Sequence, residues 1–165
     1  MAGILYFHGR GSGPTGTKAN WLAQNYGAVC PQLDTTGGVE DDLPAARAAL
    51  AEHRPDLVVG SSFGGAVTVA LAREGLLDVP LVLIAPAWSK FGGVGELPEG
   101  TRAVILQGEK DDKVLHEDSV ALAAAGGSGV RLVTIVGGDH QLHAILETGE
   151  LAEALASFGF HPRGD

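Results

Sequence analysis

Two adjacent serines lie in the segment VVGSSFGGAV, residues 58–67, with glycines on both sides of them. Centred on Ser62, the segment reads Gly-x-Ser-x-Gly, with Gly60 and Gly64 at the two small positions. Centred on Ser61 the pattern fails, because valine and phenylalanine would stand at those positions. Such a pattern is typical of a sharp strand-to-helix turn that exposes the serine hydroxyl. Ser62 is therefore the candidate nucleophile, and a glycine-rich turn whose serines cap a helix is the simpler alternative.

A serine hydroxyl becomes a useful nucleophile only when a base takes its proton and a carboxylate orients that base. On a parallel sheet, the expected order along the chain is serine, then acid, then histidine. Asp111 follows the apolar run AVILQG, and His140 follows the apolar run LVTIV. The sequence therefore predicts a catalytic triad of Ser62, Asp111 and His140.

Each partner of the serine has a neighbour that could replace it. Asp112 adjoins Asp111, but Asp111 fits the loop pattern Gly-x-x-Asp-x-x-Val, and both could be ordinary turn residues. His143 follows His140 by one helical turn, but His140 lies nearer the preceding strand. The remaining histidines beyond the first strand are expected at a helix end, at a helix start or in the tail: His53, His116 and His161.

The loop after the first apolar run, LYFHGRGSGPTG, is the second place where chemistry is expected. Acyl transfer needs two backbone N–H groups directed at the developing oxyanion. One comes from the residue after the nucleophile, here Phe63, and the other from an early loop, here Arg10. The Arg10 side chain is expected to be exposed to solvent, and His8 is expected to brace the loop.

The same loop also contains a dinucleotide-binding pattern. Gly11, Gly13 and Gly16 satisfy Gly-x-Gly-x-x-Gly, and Asp34 follows at the end of a predicted strand. Such an acid can bind a ribose hydroxyl, so a dinucleotide-binding protein is the alternative interpretation. The extra residues before the first of these glycines loosen the tight turn that this fingerprint requires.

Apolar strand-like runs alternate with helical patterns along residues 1–165, which predicts one domain. The predicted strands are Ile4–His8, Ala28–Leu33, Leu57–Gly60, Leu81–Ala85, Ala103–Gly108 and Arg131–Val136. The predicted helices are Lys18–Tyr26, Leu43–His53, Phe63–Glu74, Glu117–Ala125 and His143–Phe158, with Asp42 as a cap of the second. This alternation predicts a three-layer α/β/α fold with an open, mostly parallel sheet of about six strands. Ligands of such sheets bind at the carboxyl ends of the strands.

Composition excludes several classes of protein. The net charge of −9 argues against binding to nucleic acid or to an anionic membrane. Cys30 is the only cysteine, so neither an internal disulfide nor a cysteine zinc site is expected, and Cys30 is expected to be a buried apolar residue. Met1 leads directly into an apolar strand, without the basic start of a signal peptide, so a cytoplasmic protein is expected.

Taken together, the first loop, GSSFGG, GEKDDKV and GGDH resemble the α/β-hydrolase superfamily, particularly small serine esterases without a cap domain. The resemblance runs from the first strand to the final helix. It implies a minimal α/β-hydrolase fold, with Ser62, Asp111 and His140 at the carboxyl edge of the sheet. It also implies hydrolysis of a carboxylic ester or thioester, with a small-molecule acyl substrate and without metal or organic cofactor.

The segment PAWSKFGGVGELPEG is the only one that could cover a substrate. Trp88 and Phe91 within it are candidates for an acyl pocket, or equally for aromatics packed on the edge of the sheet. A third alternative for the whole chain is a non-catalytic interaction module on a hydrolase scaffold. The sequence does not indicate an oligomeric state.

Overall fold

The computed structural model describes residues 3–164, and its centre is a parallel β-sheet. The five strands are hydrogen-bonded in the order in which they follow one another along the chain. They are β1 (Ile4–Phe7), β2 (Leu57–Ser61), β3 (Leu81–Ile84), β4 (Ala103–Gly108) and β5 (Val130–Ile135).

Helices cover both faces of this sheet, as strands apolar on both faces require. The helices are α1 (Thr17–Tyr26), α2 (Val39–His53), α3 (Phe63–Arg73), α4 (His116–Gly126), α5 (Ile145–Thr148) and α6 (Glu150–Ala156). Side chains alternate along β1: Leu5 and Phe7 pack with α2, α3 and α4, whereas Ile4 and Tyr6 pack with α1, α5 and α6. The predicted three-layer α/β/α fold is confirmed.

The parallel register brings four loops to one edge of the sheet. Phe7 pairs with Gly60 at the ends of β1 and β2, and Gly108 pairs with Ile135 at the ends of β4 and β5. The segments that follow these strands contain His8–Arg10, Ser62, Asp111 and His140. The fold therefore places every predicted site loop at the carboxyl edge.

The prediction of a strand at Ala28–Leu33 is wrong. The segment lies along the outer edge of β1 but forms only an isolated bridge, between Leu5 and Val29. Pairing stops there because Pro31 has no N–H to donate, and the Leu33 N–H donates instead to the His8 ring nitrogen at 2.9 Å. The regular sheet therefore has five strands rather than six.

Two details of the helices also differ from the prediction. Helix α2 begins at Val39, so Asp42 lies inside it, and its carboxylate accepts the N–H groups of Asp34 and Thr35. The predicted final helix is divided at Gly149, whose φ of 98° interrupts the helical path. Within residues 3–164, no helix is long and apolar enough to cross a bilayer.

Candidate active site

Ser62 lies on a strained turn between β2 and α3. Its φ of 53° and ψ of −113° are unfavourable for a residue with a side chain. Three backbone hydrogen bonds hold it there: its N–H donates to Ile84 O, and its carbonyl accepts from Ala66 and Ala87. The turn lifts the Ser62 side chain out of the sheet, whereas Ser61 remains a buried residue of β2.

The positions around Ser62 are glycines because there is no room there for a side chain. A Cβ on Gly60 would lie 2.6 Å from Gly64 O, and a Cβ on Gly64 would lie 2.7 Å from His8 O and still closer to Phe7 O. A Cβ on Gly65 would lie 2.8 Å from Pro86 Cα. Because these neighbours are backbone atoms or a rigid proline, they cannot move aside. The glycines allow α3 to pack directly against the ends of β1 and β3.

The three residues of the predicted triad lie within hydrogen-bond distance of one another. Ser62 Oγ is 2.9 Å from His140 Nε2, and His140 Nδ1 is 2.8 Å from Asp111 Oδ2. An ionised carboxylate only accepts hydrogen bonds, so Nδ1 carries the imidazole proton and donates it to Asp111. Nε2 is then free to accept the Ser62 hydroxyl proton, which is the arrangement that a general base requires.

Asp111 occupies a site built for a carboxylate. Its Oδ1 accepts the N–H groups of Val114 at 2.8 Å and Lys113 at 2.9 Å, and its side chain is fully buried. Burial alone would raise the pKa of Asp111, but the Val114 N–H, His140 and the Lys113 N–H together outweigh burial and lower the pKa below its ordinary value. Asp112, the alternative acid, is exposed to solvent.

Gln107 is a part of this site that sequence reasoning missed. Its side chain is fully buried at the end of β4, where Nε2 donates to Val114 O at 3.0 Å and to Asp111 Oδ2 at 3.3 Å. Its Oε1 accepts the Ser119 hydroxyl at 2.7 Å. The signal in the sequence was a polar amide inside an apolar strand, AVILQG, because a buried amide needs partners.

The loop after β1 runs directly beside the serine. A Cβ on Gly9 would lie only 3.4 Å from Ser62 Cβ. His8 is buried and braces this loop: its Nε2 accepts the Leu33 N–H, so Nδ1 is the protonated nitrogen and donates to Gly9 O at 2.8 Å. The expectation of a structural histidine agrees with this geometry.

The two N–H groups predicted to bind the oxyanion have no hydrogen-bond acceptor within the described part of the protein. Within residues 3–164, the backbone N–H groups of Arg10 and Phe63 donate to no other backbone or side-chain atom. Phe63 is the first residue of α3, where an N–H has no partner inside the helix. Arg10 lines the cavity that contains Ser62. Their role as an oxyanion hole remains a prediction.

The Arg10 side chain is more constrained than expected. It is exposed, but its Nη2 donates to Gly37 O at 2.6 Å, and its guanidinium carbon lies 4.4 Å from the centre of the Phe91 ring. These contacts join the loop after β1 to the loops before α2 and after β3. Arg10 therefore connects three segments at the carboxyl edge of the sheet.

A cavity of about 390 Å³, the serine cavity, opens around Ser62 and His140. It is bounded by β1 and β2, by the glycine-rich loop, by the first turn of α1 and by the loop after β5. The remaining lining residues are Tyr6, Gly9, Arg10, Gly11, Ser12, Gly16, Thr17, Lys18, Ser61, Lys113, Gln141 and His143. Burial raises the pKa of Tyr6 far above its ordinary value, so its hydroxyl stays protonated.

Trp88 and Phe91 lie outside the serine cavity. Both line a neighbouring cavity of about 550 Å³, between α2, α3 and the loop after β3. The Trp88 indole N–H donates to Asp118 O at 3.1 Å, and Phe91 packs edge-on against Phe63, with ring centres 4.9 Å apart. The structure therefore does not bring these aromatics to the nucleophile, and it favours packing on the sheet edge, the alternative that the sequence left open.

The dinucleotide-binding pattern lacks its structural context. The predicted strand before Asp34 is absent, because residues 28–33 form only an isolated bridge. The Asp34 carboxylate accepts the Thr36 hydroxyl, and its backbone N–H is bound by Asp42. The glycine-rich loop is instead part of the wall of the serine cavity.

In the part of the chain that the structure describes, the other candidate residues form no side-chain hydrogen bond with the triad. His143 is exposed at the rim of the serine cavity, while His116 Nε2 lies 2.7 Å from Thr134 Oγ1. Cys30 is only half-buried rather than fully buried, and burial raises its thiol pKa to about 11. Across residues 3–164, no group of three His, Cys, Asp or Glu side chains is arranged to hold a metal ion.

Solved structures share the fold of this chain over nearly its whole length. Alpha/beta hydrolase domain-containing protein 10 from mouse is 17% identical, with a TM-score of 0.76 over 93% of this chain and 90% of that one. Est1E from Butyrivibrio proteoclasticus is 16% identical, with a TM-score of 0.77 over 95% and 86%. The chain has the α/β-hydrolase fold.

A third structure with the α/β-hydrolase fold is a serine hydrolase without a lid from Xanthomonas campestris, 17% identical, with a TM-score of 0.72 over 98% of this chain and 84% of that one. In this chain, residues 85–102 between β3 and β4 form a loop without a helix. No protein-family model matches the sequence, and no curated protein matches it significantly. It is a small form of the α/β-hydrolase fold without a cap.

Proposed function

We propose that the protein is a serine hydrolase that cleaves a carboxylic ester or thioester through an acyl-enzyme on Ser62. The observation that carries the proposal is the continuous chain of hydrogen bonds from Ser62 Oγ through His140 to Asp111, at 2.9 Å and 2.8 Å. The strained serine turn and the two free N–H groups beside it support the same reaction.

In the first half of the reaction, Ser62 Oγ attacks the substrate carbonyl carbon while His140 Nε2 takes the hydroxyl proton. Asp111 stabilises the imidazolium that forms and keeps its ring in place. The negative charge that develops on the carbonyl oxygen is bound by the N–H groups of Arg10 and Phe63. The tetrahedral intermediate then collapses, and His140 returns the proton to the departing alcohol or thiol.

In the second half, water replaces the departed group. His140 Nε2 removes a proton from that water, whose oxygen attacks the acyl carbon bonded to Ser62. Collapse of the second tetrahedral intermediate breaks the bond to Ser62 Oγ, which recovers its proton from His140. The carboxylic acid leaves, and the enzyme returns to its starting state without a redox step.

The test is turnover of p-nitrophenyl esters of increasing acyl length by the full chain and by two matched variants. Ser62→Ala is expected to lower kcat by about a thousandfold or more, because it removes the nucleophile. Ser61→Ala, one residue away in β2, is expected to keep kcat within about threefold, because Ser61 is not part of the hydrogen-bonded chain from Ser62 to Asp111.

Equal activity of Ser62→Ala and the unaltered chain would contradict the proposal. Absence of turnover and of covalent labelling with a folded chain would instead favour a non-catalytic module on a hydrolase scaffold.

A further inference from the structure

The serine cavity has a charge opposite to that of the whole molecule. The chain has 20 Asp and Glu residues and a net charge of −9, yet no Asp or Glu is among the described residues that line this cavity. Three of its lining residues are cationic, namely Arg10, Lys18 and Lys113. A cavity with these charges attracts anions and repels cations.

Lys18 is the unusual member of this group. Only 9% of the residue is exposed, although lysine is rarely buried without a partner. Among residues 3–164, Lys18 forms no ion pair within 4.0 Å and no side-chain hydrogen bond. The aliphatic part of Lys18 is therefore buried, whereas its ammonium nitrogen keeps access to the cavity and has no protein partner among the described residues.

The charged groups around Lys18 do not neutralise it. Burial lowers the pKa of Lys18 to about 8, and the charge of Asp139 opposes this effect only partly. Asp139 Oδ1 accepts the Leu142 N–H, and Asp139 does not line the cavity. His143 lines it, but partial burial and then the charge of Lys18 lower the pKa of His143, which disfavours a further positive charge on its ring.

The helix ends at the cavity favour the same sign of ligand. Helices α1 and α3 both begin there, and neither has an acidic residue in its first turn. By contrast, α2, α4 and α6 each carry acidic residues in the first turn. The start of α1 has no side-chain cap, so its first N–H groups remain unpaired at the wall of the same cavity.

The other two cations are less suited to bind a ligand inside the cavity. The Arg10 guanidinium is bonded to Gly37 O and stacked on Phe91. Lys113 is exposed at the rim, where solvent screens its charge. Lys18 is therefore the group whose burial and lack of partners require an explanation.

We infer that Lys18 binds an anionic group of the substrate, so that the enzyme prefers acyl esters that carry a carboxylate or phosphate near the bond that is cleaved. This inference rests on the proposed function and adds a substrate class to it. The anion would accept a charge-assisted hydrogen bond from the Lys18 ammonium and lie against the start of α1. The binding would be strongest below the pH at which Lys18 loses its proton.

The test compares two pairs of esters, each an anionic ester and a neutral partner with the same reacting ester group. Mono-p-nitrophenyl adipate and p-nitrophenyl hexanoate have acyl chains of equal length, with and without a terminal carboxylate. p-Acetoxyphenyl phosphate and p-methoxyphenyl acetate form the corresponding pair for phosphate. The measured quantity is the ratio of kcat/KM for the anionic ester to that for its neutral partner, corrected for the uncatalysed rates.

For at least one pair, the unaltered chain is expected to favour the anionic ester by about tenfold or more. Lys18→Met is expected to lower that ratio by about tenfold or more. Lys90→Met, which removes an exposed lysine outside the cavity, is expected to leave it unchanged and controls for net charge. Whichever pair responds identifies the carboxylate or the phosphate as the anion.

A ratio near one for both pairs in the unaltered chain overturns the inference, and so does a ratio that Lys18→Met leaves unchanged. If Lys18→Met does not fold, the inference is tested with the unaltered chain alone. It then requires that the preference for the anionic ester be present at low salt and be lost at high salt. Labelling by a fluorophosphonate distinguishes failure of the inference from failure of the proposed function. A chain that is labelled at Ser62 but shows no preference loses only the inference, whereas a chain that is not labelled loses the proposed function too.

Discussion

The Gln107 side-chain amide donates to the Asp111 carboxylate across 3.3 Å, and the same nitrogen donates to Val114 O at 3.0 Å. One buried amide thus fixes the turn that presents the triad carboxylate. Gln107→Leu is expected to lower kcat/KM by about tenfold to a hundredfold, because a small displacement of Asp111 misdirects His140. It is also expected to lower the free energy of unfolding by about 2 kcal/mol, since buried partners lose their hydrogen bonds.

Steady-state kinetics and urea unfolding check this expectation. Gln24→Leu, on the exposed side of α1, is the matched control. Unchanged kinetics in Gln107→Leu would show that the Asp111 turn holds its position without the amide.

Asp111 and Asp112 are adjacent in sequence and differ in environment. Asp111→Asn is expected to lower kcat by about a thousandfold to ten-thousandfold, because an amide at this position favours the wrong tautomer of His140. Asp112→Asn is expected to change kcat by less than about threefold, since Asp112 is exposed. Ester hydrolysis by the two variants, measured side by side, distinguishes them. A comparable loss of kcat in both variants would contradict the assignment of Asp111 as the carboxylate of the triad.

Gly64 lies where α3 approaches the end of β1. Gly64→Ala is expected to destabilise the fold by about 3 kcal/mol or more, because its Cβ would meet backbone atoms, among them His8 O at 2.7 Å. Gly3→Ala is the control, since a Cβ there meets nothing within 4 Å. Thermal unfolding of both variants measures the difference, and equal melting temperatures would contradict the close packing.

Lys18 lowers stability at neutral pH while it is unpartnered. Burial lowers its folded-state pKa from 10.5 to about 8, so between these values the unfolded chain binds more protons than the folded chain. Stability should therefore rise with pH through this window. Lys18→Met is expected to be more stable at pH 7, by about 3 kcal/mol at most, with a smaller advantage near pH 10. Urea unfolding at both pH values tests this, and a variant less stable at pH 7 would contradict it.

The site residues with a fixed local pattern could be predicted from the sequence. Ser62 was distinguishable from Ser61 because only one register puts glycines on both sides. Asp111 was distinguishable from Asp112 by the loop pattern Gly-x-x-Asp-x-x-Val, and His140 from His143 by its shorter distance from the preceding strand. In each case the determining physics is local: a sharp turn or a short loop at the end of a parallel strand.

The features that depend on packing between distant segments could not be predicted. Ala28–Leu33 has the composition of a strand, but Pro31 and the bond from Leu33 to His8 stop its pairing. Lys18 was identifiable only as a residue near a helix start. Its burial depends on where α1 packs against the sheet, which no local pattern specifies. For Trp88 and Phe91 the sequence left an acyl pocket and packing on the sheet edge equally open, because the path of the loop decides which cavity they line.

The most direct test of the account is to find the residue that a fluorophosphonate modifies. The full chain is incubated with the probe, digested, and its peptides are mapped by mass spectrometry. We expect one adduct, on Ser62, formed at similar rates in the unaltered chain and in Ser61→Ala and absent from His140→Ala. An adduct on Ser61 or another residue, or one on Ser62 that forms equally fast without His140, would contradict the account.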